Sequence, residues 1–97
     1  MAGRAELAAG ATYIVVERSP AMDGATHHRL QPGLNHLAFH AGDRAQLDRL
    51  VAAALDHGWT LMFPERHPFA GGPDHCAAYL ENFDGFEVEL VARPDGS

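Results

Sequence analysis

Imidazoles, a phenol and carboxylates fall at even spacings in three short stretches of this chain. They are His36 and His40 in GLNHLAFH, His75 and Tyr79 in HCAAYLEN, and Glu87 and Glu89 in FEVELVA. In extended backbone, even spacing puts side chains on one face. Imidazole nitrogens and a carboxylate gathered on neighbouring strands suit a divalent metal such as zinc, iron, manganese or nickel. His36 and Glu89 are the first candidates. Two ligands do not hold a catalytic metal tightly, so a third must come from Glu17, His75 or a second chain. Tyr79 or His75 would then donate or accept a proton.

These side chains need strands to carry them, and the apolar pattern supplies the strands. ATYIVVER (11–18) is rich in β-branched and aromatic residues, and a Pro/Gly/Asp linker follows over 19–33. In LNHLAFH (34–40), Leu37 and Phe39 take one face, opposite His36, Ala38 and His40. From Asp43 the period changes. Leu47, Leu50, Val51, Ala54 and Leu55 line one side of a helix of about four turns that stops at Gly58. WTLMF (59–63), HCAAYLEN (75–82) and FEVELVA (86–92) are three further strands. A long loop over 64–74 separates the first two, and the turn NFDG (82–85) joins the last two.

Residues 1–10 are Ala- and Gly-rich and are expected to fray, as is the tail 93–97. The predicted order is strand, linker, then strand, helix, strand, strand, strand. One helix covers one sheet face, with Phe39, Leu80, Val88 and Leu90 expected under Leu47, Leu50 and Leu55. The other face collects His36, His40, His75, Tyr79, Glu87 and Glu89.

Length and charge narrow the function. The 97 residues allow one domain, small enough to gain from a partner chain. A formal charge of -6 disfavours a phosphate-backbone partner, so nucleic acid is not expected. The single cysteine, Cys76, cannot form an internal disulfide, and the N-terminus lacks the apolar core of a signal peptide. With no apolar run of about 20 residues, the expectation is a cytoplasmic protein without a membrane span.

Residues 33–92 resemble the second half of a vicinal oxygen chelate protein, the superfamily of glyoxalases, bleomycin-resistance proteins and extradiol dioxygenases. GLNHLAF looks like the first-strand motif, in which the His is a metal ligand. YLENFDGFEVEL is similar to the closing motif, in which the Glu before the Leu is another. The resemblance carries those roles to His36 and Glu89. It implies an α+β fold: one βαβββ module, 34–92, with an extra N-terminal strand, a curved mixed sheet and a helix on one face. TYIVVERSP resembles the last strand of a preceding module, which would put Glu17 at that module's carboxylate ligand. Asn82-Phe83 stands where the family has Asp-Pro. Tyr79, ten positions before Glu89, is placed like the active-site tyrosine of ring-cleaving members.

The family builds its cleft from two modules and this chain resembles one, so the resemblance implies either a sequence truncated relative to its relatives or a homodimer that shares one site. The function it implies is a metal-dependent lyase, dioxygenase or related enzyme acting on a small molecule with adjacent oxygens. The alternative is a metal-free protein that binds a small aromatic or antibiotic ligand against walls such as Tyr79 or Phe69. Each residue also has an ordinary role. His and Glu on a strand face are commonly solvated, His40 fits a strand end, and His27, His28 and His67 lie in loops where water satisfies them. Cys76 faces the helix side as a small core residue.

Overall fold

The computed structural model describes residues 3–9, 12–24 and 26–94. Its elements are β1 (Gly3–Ala9), β2 (Thr12–Arg18), β3 (His36–His40), α1 (Arg44–Leu55), β4 (Thr60–Leu61), β5 (Ala77–Glu81) and β6 (Glu87–Val91). The last four strands form one sheet in the order β3-β6-β5-β4, with β3 parallel to β6 and the other pairs antiparallel. This is the expected α+β arrangement: a βαβββ module on a curved mixed sheet with α1 on one face.

The expectation for residues 1–10 does not hold. Gly3–Ala9 is a strand that pairs antiparallel with β2 along its whole length, from Gly3 opposite Arg18 to Ala9 opposite Thr12. Ala and Gly carry little strand preference of their own. Beside the β-branched run of β2, however, their backbone groups find partners that a frayed end would leave to water. Residues 1, 2 and 10 lie outside the described residues, as do 95–97 of the expected disordered tail. Arg93 is tied in through its N–H to the Gly42 carbonyl at 2.7 Å.

Helix α1 begins at a capping box. The Asp43 carboxylate accepts from the Gln46 N–H, and the Gln46 side chain accepts from the Asp43 N–H, both at 2.8 Å. Leu47 and Val51 then enter a core made with Ala41, Ala78 and Ala92, against which Leu61, Cys76 and Leu90 pack. The expected cover over the sheet is only partly present, because Leu50 and Leu55 are 46% and 48% exposed. The reason is width. Four strands about 4.8 Å apart present a face of roughly 14 Å, more than one helix about 10 Å across can cover. A groove of about 300 Å³ stays open beside α1, lined in part by Leu50, Trp59, Leu80, Val88 and Leu90.

The molecule measures 47 × 31 × 27 Å with a radius of gyration of 14.7 Å. A compact domain of this length would have about 12.5 Å, and the excess fits a β1–β2 ribbon that forms a sheet of its own. No helix among the described residues is long and apolar enough to cross a membrane.

Candidate functional site

The strand register assembles the face opposite α1. Ala38 of β3 and Tyr79 of β5 both lie beside Glu89 of β6, while His36 and Glu81 both lie beside Glu87. Partners in register point to the same side of a sheet, so His36, Tyr79, Glu81, Glu87 and Glu89 share one concave surface. His75 precedes β5 in a turn closed by its N–H to the Gly72 carbonyl.

Glu89 is the centre of this surface and only 7% exposed. Its Oε1 lies 3.0 Å from His36 Nε2, and its Oε2 lies 2.5 Å from His75 Nε2. Burial alone would raise the carboxyl. Hydrogen bonds and charge from His75 and His36 outweigh it and hold Glu89 below the ordinary value. For Tyr79 burial and the Glu89 carboxylate act in the same direction, pushing the phenol up and keeping it protonated. The Tyr79 ring meets both His36 and Phe63 edge-on, at centroid distances of 6.3 and 5.9 Å. Phe63 holds a left-handed φ of 52° as the chain leaves β4, a conformation that costs a bulky residue energy. Arg66 covers its ring at 4.9 Å.

Glu87 is 5% exposed, and its Oε1 accepts no hydrogen bond among the described residues. The charge beside it is Arg29, with Nε at 3.4 Å. Arg29 belongs to the linker, which is not simply a spacer. The His27 ring stacks on Phe86 at 4.5 Å and 3°, and the His27 N–H donates to the Asp84 carbonyl at 2.8 Å. His27 is therefore docked rather than solvated. Against the hairpin turn it meets backbone shaped by Asn82, whose Oδ1 accepts from the N–H groups of Asp84 and Phe86.

The fold thus brings His36, His75, Tyr79 and Glu89 together. Glu17 is exposed on β2, in the separate ribbon, and among the described residues nothing bonds it to them. His40 and His28 are exposed, while His67 is half-buried and its imidazole is lowered by that burial. Asn35, Phe63, Arg29 and Gly71 border the site without having been singled out from the sequence. Asn35 offered a visible signal: an amide next to the histidine of GLNHLAF. Among the described residues no three His, Cys, Asp or Glu side chains are already set at the spacing of a metal cage. The donor set of two imidazoles and one buried carboxylate is nonetheless one that zinc-like ions accept.

No family model matches the chain. Over 66 residues, 68% of its length, it is 46% identical to "Uncharacterized protein YqjT" of Bacillus subtilis (strain 168). That match spans 52% of the relative, about half its length. Among solved structures, the crystal structure of a "putative glyoxalase" from Bacillus halodurans aligns with a TM-score of 0.77 at 37% identity. The alignment covers 94% of this chain and 76% of that one.

Proposed function

This chain belongs to the glyoxalase-like family of the Bacillus halodurans protein, and from that premise we propose that it is a metal-dependent enzyme of the vicinal oxygen chelate type. Its substrate is a small molecule that offers two adjacent oxygens. The observation that carries this reading is the approach of His36 Nε2 and His75 Nε2 to the two oxygens of one buried carboxylate, Glu89. These three residues would hold a divalent cation, and Glu17 is not needed for a three-ligand site. A cation bound there supplies Lewis-acid stabilisation of negative charge that develops on the substrate oxygens.

The chain's own groups supply the rest. Tyr79, protonated and beside Glu89, is placed to donate a proton at its Oη. Phe63 and Tyr79 form an apolar wall that excludes water from one side of the site. Arg29 balances the charge of Glu87, so that buried carboxylate does not repel an anionic substrate. A second copy completes the cleft. The basis is that β3 pairs only with β6 among the described residues, leaving one edge open, and that Tyr13, Val15 and Val16 of β2 are exposed. A two-stranded ribbon is marginal alone and gains by packing on a partner.

Native mass spectrometry of protein prepared without chelator tests both parts. The expected result is a dimer that carries zinc, iron, manganese or nickel and loses it in His36→Ala and Glu89→Ala. A protein that takes up none of these ions would exclude the metal-dependent reading and favour a ligand-binding cleft.

A further inference from the structure

We propose that Asn35 is a positioning residue, which holds the His36 imidazole with its Nε2 turned into the site. The inference rests on the metal-site reading for its purpose but on independent geometry for its substance. The Asn35 side chain spans two partners: its Nδ2 donates to the Arg29 carbonyl at 3.1 Å, and its Oδ1 lies 2.7 Å from His36 Nδ1. A carbonyl oxygen only accepts, so the amide nitrogen must face Arg29 and the amide oxygen must face the ring. An amide oxygen also only accepts, so Nδ1 must be the nitrogen that carries a proton.

Nε2 is thereby left for whatever occupies the site. It faces Glu89 Oε1 at 3.0 Å, the direction from which a cation held by Glu89 would meet its lone pair. Asn35 thus does for His36 what carboxylates and backbone carbonyls do for metal-binding histidines elsewhere: it fixes which nitrogen can ligate and how the ring is turned.

The linker sets the position of the amide. Arg29 is held over the sheet by its ion pair with Glu87, and His27 by its stack on Phe86 and its bond to Asp84. The carbonyl that orients Asn35 is therefore part of a docked segment. Asn35 itself is exposed, where water competes for its hydrogen bonds. The loss on removing it should lie toward the lower end of the roughly 10- to 100-fold affinity range found for such partners.

The test uses Asn35→Leu, which removes the acceptor, and Asn35→Asp, which keeps the acceptor toward Nδ1 while giving up the donor to the Arg29 carbonyl. Long-range proton–nitrogen NMR of the metal-free wild type should show His36 Nδ1 protonated and protected from exchange. That protection should vanish in Asn35→Leu and return in Asn35→Asp. With zinc as the probe, the dissociation constant should rise roughly tenfold in Asn35→Leu and stay within about threefold of wild type in Asn35→Asp. Wild-type Nδ1 without a proton, or equal zinc affinity in wild type and Asn35→Leu, would overturn the proposal. If wild type binds no zinc but the Nδ1 proton behaves as stated, the positioning role stands and the metal reading fails. If Asn35→Leu does not fold, the wild-type Nδ1 proton and the zinc affinity of Asn35→Asp decide.

Discussion

Both oxygens of Glu89 are engaged by imidazoles, Oε1 by His36 at 3.0 Å and Oε2 by His75 at 2.5 Å. Burial would raise this carboxyl, but the two histidines hold it below its ordinary value of 4.5. A carboxyl depressed in the folded state adds stability above its unfolded value and loses it as pH falls through the folded one. In metal-free protein, wild type should therefore melt above Glu89→Gln at neutral pH. The gap should close as the pH drops below 4.5. Thermal melts across that range check it, and a gap independent of pH would contradict the assignment.

Tyr79 responds in the opposite sense. Its burial and the adjacent Glu89 charge push the phenol above 10.0. A spectrophotometric titration, taken as the difference between wild type and Tyr79→Phe, isolates this group from Tyr13. Its midpoint should lie above 10.0 in wild type and fall in Glu89→Gln, where the Glu89 charge is removed while burial and the Glu87 charge remain. Tyr79→Phe should retain metal.

Gly71 leaves room for the site to close. A Cβ there would lie 2.5 Å from Tyr79 Oη and 2.8 Å from His75 Cδ2, closer than side-chain atoms tolerate. Gly71→Ala should leave the circular dichroism spectrum unchanged while zinc affinity falls roughly tenfold, because small displacements of ligating groups are costly. Unchanged affinity would mean that His75 does not ligate.

Gly85 anchors the linker. Its φ is +83°, and a Cβ would come within 2.0 Å of the His27 carbonyl oxygen, a backbone atom that cannot swing aside. Gly85→Ala should cost about 1 kcal/mol for the left-handed backbone alone. It should also undock residues 26–35, which hydrogen exchange would register as faster exchange at the His27 N–H, bonded to the Asp84 carbonyl, than in wild type.

The sequence made the site face legible because a strand's pleat is local. Even spacing was enough to put His36, Tyr79, Glu87 and Glu89 on one side, and Asp43 was enough to start the helix. What escaped it depends on partners distant in the chain. Gly3–Ala9 is a strand only beside β2, and His27 is docked only because Phe86 folds back over it. Leu50 and Leu55 match the helical period yet remain exposed, because the period says nothing about how wide a sheet the helix must cover. The resemblance paired Glu17 with the metal, whereas the fold sets His75 on Glu89. His75 was one of the candidates for a third ligand, and its place is set by the turn before β5 rather than by strand spacing.

His36, His75 and Glu89 of one chain are expected to hold a divalent cation. Anomalous X-ray diffraction from crystals soaked in zinc tests it most directly. A zinc peak is expected about 2.0–2.2 Å from His36 Nε2, His75 Nε2 and a Glu89 oxygen. A fully ordered site with the three side chains still hydrogen-bonded to one another, and zinc absent or bound elsewhere, would contradict it.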